Sequence, residues 1–188
     1  MNGSLKRAGV ILGILIAGLA AFFAMSIAAP QASMAQETGK PHWVLELKDG
    51  TVDIELLPEV APQHVARVIE LTNQGFYNGI VFHRVIDGFM AQAGCPHGQG
   101  TGGSSKPNLK QEFSATPHAR GVCSMARTSD PNSANSQFFI CLDDANFLDN
   151  QYTVWGEVVD GMQNVDALPK GEPPRAPGSI VNMRLKQD

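Results

Sequence analysis

The 188-residue sequence lacks the motifs of the common hydrolases, zinc enzymes and nucleotide-binding proteins. It contains no Gly-x-Ser-x-Gly, no His-Glu-x-x-His and no Cys-x-x-Cys, and the glycine-rich stretch at 94–103 ends in no Gly-Lys-Ser/Thr. The five histidines form no pair at a metal-binding spacing. These absences argue against hydrolytic, metal-dependent and nucleotide-dependent chemistry.

Runs of basic residues are also absent. Lys and Arg number 14 against 18 Asp and Glu, for a net charge of −4, and no basic stripe is visible. We therefore expect no nucleic-acid partner. Hydrophobic residues make up 43% and charged residues 17% of the chain, which is typical of a folded globular domain rather than a disordered one.

Cysteine is scarce and odd in number, with Cys95, Cys123 and Cys141 only. An odd count leaves at least one thiol unpaired or paired between chains. We interpret all three as buried thiols that pack like small hydrophobic residues. A disulfide between two of them is the alternative that the sequence leaves open.

Charge is missing from a long segment near the N-terminus. Lys6 and Arg7 precede an uncharged, mostly apolar segment at 8–29, and Ser33-Met34-Ala35 places small residues at both key positions of a leader-peptidase site. A cleaved signal usually has an apolar core of about 7–15 residues, whereas about 20 apolar residues can span a bilayer. Residues 1–35 are therefore predicted to be a signal peptide or, alternatively, a retained membrane anchor.

The predicted organisation has three parts: the leader at 1–35, a polar linker at 36–41, and one domain at 42–188. Because the positive flank of the leader stays inside, the domain is expected to be exported to the periplasm. In the alternative, it is anchored in the inner membrane and faces the periplasm, with membrane contact only through that anchor. We expect a monomer.

The start of the domain has the pattern of a β-hairpin. Large apolar residues alternate along 43–47 and 52–56, and Asp49-Gly50 between them is a favoured turn. The stretch at 58–75 predicts a helix that begins at Pro62 and is capped by Gly75. One stripe at helical spacing is predicted to face the core: Ala61, Val65, Val68, Ile69 and Thr72. Three polar residues are predicted to lie off that stripe: Arg67, Glu70 and Gln74.

Short apolar runs separated by turn residues fill the rest of the chain, which favours a closed β-barrel or a sandwich. The candidate strands are Ile80–Val85, Phe89–Ala93, Gly121–Ala126, Phe138–Leu142, Val154–Val159 and Ile180–Leu185. A second short helix is predicted to begin near Gly161, and the glycine-rich stretch at 94–103 is predicted to be an exposed, mobile loop.

One positively charged residue, Arg84, lies within the apolar pattern of a predicted strand. Gln92 shares a strand face with Met90. In the run at 136–140, Gln137 and Phe139 share the corresponding face. One face of each strand can therefore line a groove while the other packs against the core.

Several ordered motifs in the chain resemble those of the cyclophilins. The stretch FHRVIDGFMAQAG at 82–94 is similar to the cyclophilin signature, and GVCSMAR at 121–127 and NSQFFICLDDANFLD at 135–149 resemble two later blocks of that family. GFYNG at 75–79 and VWGEVVDGM at 154–162 match in order and spacing. The resemblance runs from about Trp43 to Leu185. It implies a mainly β fold: a closed, eight-stranded antiparallel β-barrel capped by two α-helices.

The resemblance also implies a function, peptidyl-prolyl cis/trans isomerisation, and a set of site residues. Arg84 and Gln92 are the implied catalytic residues, Arg84 as the hydrogen-bond donor to the prolyl nitrogen and Gln92 as the amide that holds a substrate carbonyl. The implied substrate-binding residues are Phe89, Met90, Ala126, Arg127, Gln137, Phe139, Phe147, Leu148 and Tyr152. His83 is expected to be a packed strand residue rather than a base, and no metal or cofactor is expected, because bond rotation requires neither.

Four positions depart from the best-known eukaryotic pattern of the family. Arg127 stands in place of Asn, Phe147 in place of Trp, Tyr152 in place of His, and Asp87 in place of Pro. Phe147 has no indole N–H donor, which puts tight cyclosporin binding in doubt.

The expected partners are proline-containing segments of unfolded or exported proteins, whose folding the enzyme would assist. Two other classes of function remain as alternatives. One is a non-catalytic module or chaperone that binds proline peptides in the same groove. The other is a small-molecule carrier barrel, which requires an interior left free for a ligand.

Overall fold

The structure, a computed structural model, describes residues 39–186. The predicted leader at 1–35 and the first half of the predicted linker, 36–38, therefore lie outside the described residues. Within them, neither helix has the length and apolar character needed to cross a membrane.

Eight strands and two helices make up the described domain, as predicted. The strands are β1 (His42–Leu47), β2 (Gly50–Leu56), β3 (Arg84–Ile86), β4 (Met90–Ala93), β5 (Val122–Met125), β6 (Phe138–Cys141), β7 (Val154–Asp160) and β8 (Asn182–Leu185). The helices are α1 (Pro62–Asn73) and α2 (Met162–Asp166), with a 3-10 turn at Asn146–Leu148. All strand pairs are antiparallel, in the order β3-β4-β6-β5-β7-β2-β1-β8.

The predicted closed barrel is wrong in one respect, because the curled sheet is open between its edge strands β3 and β8. Among the described residues, the two sides of this gap share two isolated bridges, Val81 with Ser179 and Val85 with Gly171, and a hydrogen bond from the Gly79 N–H to Ile180 O, rather than a continuous ladder. The segment that faces the gap contains Pro173, Pro174 and Pro177, each of which lacks the backbone N–H that a continuous ladder requires. The predicted strand at 80–85 is accordingly shorter and begins only at Arg84.

The predicted hairpin is confirmed, with β1 and β2 paired from His42–Glu55 to Leu47–Gly50. Its inward side chains are fully buried in a core that contains Trp43, Tyr77, Phe138 and Trp155 in edge-to-face contacts. Because side chains fill this interior, the domain has no internal space for a carried ligand. The carrier-barrel alternative is therefore excluded for the described residues.

Helix α1 begins at Pro62 as predicted, but its buried face is wider than the predicted stripe. Arg67, predicted to lie off that stripe, is only 9% exposed, and Leu71 is buried as well. The N-terminus has no cap from its own side chains. Glu112 from a distant loop instead accepts hydrogen bonds from the backbone N–H groups of Gln63 and His64, at 3.1 and 3.0 Å. A carboxylate from a distant part of the chain therefore accepts the hydrogen bonds of N–H groups that have no partner within the helix.

The three cysteines are buried and unpaired within the described residues, so the buried-thiol interpretation is confirmed. Burial raises the pKa of Cys141 to about 12 and that of Cys123 well above its usual value. These thiols stay protonated at neutral pH and act as packing groups.

Candidate active site

A small pocket opens between β3, β4 and β6, with a volume of about 150 Å³. We call it the central pocket. It brings together all but two of the predicted site residues: Arg84, Phe89, Met90, Gln92, Ala126, Arg127, Phe139, Leu148 and Tyr152. Strand pairing explains the grouping, because the register places Gln92 opposite Arg84 on one side and opposite Phe139 on the other.

Arg84 lines the central pocket, and one nitrogen of its guanidinium, Nε, is held by a hydrogen bond. Its Nε donates a hydrogen bond to Glu172 Oε2 at 2.8 Å, and its Cζ lies 6.0 Å from the centre of the Phe89 ring. Within the described residues this is the only hydrogen bond of the side chain, so both terminal amino groups retain N–H donors for a ligand. The carboxylate thus orients the cation without occupying its outer edge.

Gln92 is oriented by a chain of amide hydrogen bonds. Gln137 Nε2 donates to the carbonyl oxygens of Gly100 and Gly102 at 2.9 and 2.8 Å, which commits both its N–H groups. Its Oε1 therefore accepts a hydrogen bond from Gln92 Nε2, at 2.9 Å. Gln92 retains one N–H and its own carbonyl oxygen for a ligand.

The walls of the central pocket are apolar and well supported. Met90, Phe139 and Leu148 are all nearly buried and belong to a small cluster separate from the main core. Behind this wall, the ring of His118 stacks on Phe139 with centroids 6.2 Å apart. The pocket therefore has a rigid floor suited to a compact apolar group.

His118 lies between a carboxylate and a hydroxyl, an order also found in serine hydrolases. Its Nδ1 is 3.0 Å from Asp149 Oδ1, and its Nε2 is 3.1 Å from Ser124 Oγ. Ser124, however, is fully buried, and its hydroxyl donates to the Thr153 carbonyl oxygen at 2.8 Å. No substrate can reach this oxygen, so the arrangement supports the pocket wall and does not provide a nucleophile. Hydrogen bonds from the His118 backbone N–H and ring hold the pKa of Asp149 below its usual range.

Arg127 lies at the edge of the central pocket. Its guanidinium carbon is 4.4 Å from the centre of the Tyr152 ring. Beside it, the backbone N–H of Ala126 donates to Gln137 O at 2.9 Å, which extends the pairing of β5 with β6 by one residue. The two residues separate the central pocket from a neighbouring cavity of about 500 Å³ that we call the side groove.

Two predicted substrate-binding residues do not line the central pocket. Gln137 lines the side groove instead and acts on the pocket through its bond to Gln92. Phe147 is 66% exposed, and its ring packs against Phe89 with centroids 5.4 Å apart. It therefore forms an exposed apolar rim next to the pocket.

His83 is buried as expected, although it lies just before β3 rather than in a strand. Burial lowers the pKa of His83 below its usual value, and the charge of Arg84 acts in the same direction. The predicted loop at 94–103 contains no helix or strand, and its carbonyl oxygens hold Gln137.

Three residues that support the site were missed by the sequence interpretation: Glu172, His118 and Asp149. Glu172 contacts Arg84 across 88 positions, from a proline-rich segment without any recognisable pattern. The only available signal was the presence of a lone acidic residue between Gly171 and Pro173. Within residues 39–186, no cluster of His, Cys, Asp or Glu could hold a metal ion.

Comparisons with known proteins show the family to which the chain is similar. Residues 42–185 match the model of the family described as cyclophilin type peptidyl-prolyl cis-trans isomerase/CLD. A probable peptidyl-prolyl cis-trans isomerase of Brucella suis is 46% identical over 185 residues, covering 90% of this chain and 94% of the relative.

Solved structures show the same likeness. A cyclophilin from Hirschia baltica superposes with a TM-score of 0.71 at 32% identity, covering 76% of this chain and 73% of that one. A cyclophilin-type isomerase from Cryptosporidium parvum, solved in the presence of the dipeptide Ala-Pro, has a TM-score of 0.73 at 27% identity, covering 78% and 99%. The chain therefore belongs to the cyclophilin-type peptidyl-prolyl cis-trans isomerase family.

Proposed function

We propose that the chain accelerates rotation about Xaa-Pro bonds by seating the prolyl ring in the central pocket, where Arg84 donates a hydrogen bond to the prolyl nitrogen. The observation that carries the proposal is a guanidinium with free donors at the edge of a pocket of about 150 Å³ that has an apolar wall. Pockets for drug-sized ligands are about 300–1,000 Å³. The central pocket is therefore suited to one small ring.

The chemistry follows from amide resonance. Rotation about the Xaa-Pro bond has a barrier of about 18–20 kcal/mol because the planar amide delocalises the nitrogen lone pair. In the twisted transition state the lone pair is localised on nitrogen and becomes a good acceptor. A donor aimed at that nitrogen binds the twisted state more strongly than either planar state, which is the condition for catalysis.

The hydrogen bond of Arg84 supplies only part of the acceleration. A charge-assisted hydrogen bond is worth about 1.5–3 kcal/mol, or roughly one to two powers of ten in rate. The remainder comes from holding the ring against Met90, Phe139 and Leu148 while Gln92 holds a substrate carbonyl. The Cryptosporidium relative was solved in the presence of the dipeptide Ala-Pro, which supports proline-containing peptides as the ligands.

The test is an isomerisation assay with the purified full chain and a short Xaa-Pro peptide, whose trans form alone is cleaved by a protease that releases a chromophore. We expect a rate proportional to enzyme concentration above the uncatalysed rate. Peptide binding without acceleration would instead favour the non-catalytic binding module.

We further propose that the substrates are exported proteins and that the chain acts in the periplasm. The support is the basic, apolar and small-residue order of residues 1–35, which is typical of an export segment. Exported chains fold after translocation, and proline isomerisation is slow enough to limit folding.

Cell fractionation followed by N-terminal sequencing tests the location. A chain that begins at Gln36 in the periplasmic fraction indicates cleavage, and an intact leader in the inner membrane indicates anchoring. An intact chain in the cytoplasm would contradict export. For the substrates, deletion of the gene should slow the maturation of exported proteins that contain cis-proline, and wild-type protein but not Arg84→Ala should restore it.

A further inference from the structure

Within the described residues, the guanidinium of Arg127 donates hydrogen bonds only to backbone carbonyl oxygens. Its Nε and Nη2 donate to Gln151 O at 3.1 and 2.8 Å, and its Nη1 donates to Thr128 O at 2.8 Å. One face of the group lies over the Tyr152 ring. Carbonyl oxygens and an aromatic face fix the position of the cation, but they leave its full positive charge in place.

Within residues 39–186, no carboxylate lies within ion-pair distance of Arg127. The other arginine of the pocket, Arg84, is paired with Glu172, and Arg120, which lines neither the pocket nor the side groove, is paired with Asp166 at 2.6 Å. The carboxylates of the adjacent loops have other partners, since Asp130 accepts from the Asn132 N–H and Asp149 from His118. Arg127 therefore presents an uncompensated charge.

This charge lies where the central pocket meets the side groove. Arg127 lines both the central pocket and the side groove, and the rest of the groove lining is uncharged: Gln92, Gly100, Thr101, Gly102, Gly103, Asn108, Ala126, Thr128, Ser133, Asn135 and Gln137. Of these residues, Gln92 retains one N–H that can donate to a carboxylate, and none of them neutralises the arginine.

We propose that Arg127 is a specificity-determining residue that selects Xaa-Pro segments with an Asp or Glu side chain close to the proline. The inference rests on the proposed isomerase function and deepens it by naming the substrate class. Because the guanidinium is partly exposed, the preference is modest. Exposed ion pairs contribute about 0.2–1 kcal/mol, which corresponds to a change in kcat/KM of up to about fivefold.

The test compares peptides that differ only in one residue, Glu or Gln, placed in turn at each of the two positions before and after proline. The readout is the ratio of kcat/KM for the Glu peptide to that for the Gln peptide. For the wild-type full chain we expect a ratio of about two to five at one position or more. Raising the salt to about 1 M, where the Debye length is about 3 Å, should bring the ratio to one.

Two variants complete the test. In Arg127→Gln the ratio should be one at every position, whereas Arg120→Gln, a matched control outside the groove, should keep the wild-type ratio. Comparing two peptides on the same variant cancels any general loss of activity. Wild-type activity with equal rates for Glu and Gln peptides at all positions would overturn this inference alone, whereas absence of isomerisation for every peptide would overturn the proposed function with it.

Discussion

The contact between Arg84 and Glu172 shows how much of the site depends on a residue that no motif identifies. Arg84 and Gln92 fall within one short run of sequence, so their roles could be inferred from the motif that contains them. Glu172 lies across the gap from β3, and it contacts Arg84 because the curled sheet brings these two distant segments together. Local patterns carry no information about such a contact.

Glu172→Gln should lower kcat for Xaa-Pro isomerisation by about two- to fivefold and leave KM nearly unchanged. The reason is that an exposed ion pair of about 0.2–1 kcal/mol would no longer orient the donor. Steady-state kinetics on one chromogenic peptide measures both constants. Glu46→Gln is the matched control, because Glu46 pairs with Arg184 on β8 rather than with a site residue. An equal effect of both substitutions would show that Glu172 has no positioning role.

At the scale of the elements, the turn after β4 fixes the distance between the strands of the site. Gly94 has φ +85°, and a Cβ added there would lie 2.8 Å from Gln137 Cα and closer still to Ser136 O. Only glycine allows β4 and the start of β6 to approach this closely. The sequence contains five glycines at 94–103. Nothing in the sequence indicated which of them the packing of the strands requires.

Gly94→Ala should therefore destabilise the fold more than its matched control Gly88→Ala. Gly88 has a similar φ of +64°, but no atom lies within 4 Å of a Cβ added there. Gly88→Ala should therefore lower the free energy of unfolding only by the cost of a left-handed backbone conformation, about 1–2 kcal/mol. Urea unfolding gives both free energies. Gly94→Ala should also reduce kcat/KM. The added Cβ would displace Gln137, and Gln92 would move as well because it is hydrogen-bonded to Gln137. Equal stability of the two variants would show that the backbone relaxes without cost.

Helix α1 introduces a dependence of stability on pH. His64 is buried, its Nδ1 lies 2.6 Å from Glu112 Oε2, and burial lowers its pKa although Glu112 opposes the shift. A group with a lowered folded-state pKa stabilises the fold above its unfolded pKa of about 6.5. This contribution is lost as the pH falls through the folded pKa.

The free energy of unfolding of the wild type should thus fall as the pH drops below about 6.5, the unfolded pKa of His64. In His64→Asn, whose side-chain amide can still donate to Glu112, the fall should be smaller. Urea titrations at several pH values measure this difference. Parallel pH profiles for the two proteins would exclude His64 as the source.

For the whole molecule, the strands and helices along the chain could be predicted from alternation and turn residues, and the antiparallel arrangement was implied by the family resemblance. The open edge of the sheet was predicted by neither. Closure depends on whether segments at opposite ends of the domain can form a ladder. Pro173, Pro174 and Pro177 and the irregular segment before Arg84 prevent this at the open edge. Resemblance to a family of barrels did not reveal this interruption, because the three prolines lie outside the matched motifs.

The open edge should be the first part of the sheet to exchange its amide hydrogens. Val85 and Gly171 share two backbone hydrogen bonds of 2.9 and 2.8 Å without neighbouring ladder pairs, whereas β5 is paired on both sides. Local opening should expose the Val85 and Gly171 amides at a lower free energy than those of β5. Hydrogen exchange followed by NMR tests this, and slower exchange at the edge than in β5 would contradict it.

The central claim is that Arg84 acts on the rotating bond rather than on peptide affinity. The most direct measurement compares wild type and Arg84→Ala for both kcat/KM in the isomerisation assay and Kd for a proline peptide. We predict that kcat/KM falls about 10- to 100-fold, as the loss of a charge-assisted hydrogen bond of about 1.5–3 kcal/mol requires, while Kd changes by less than about threefold, below about 1 kcal/mol. An unchanged kcat/KM, or a Kd that rises in proportion to the loss of rate, would contradict the account.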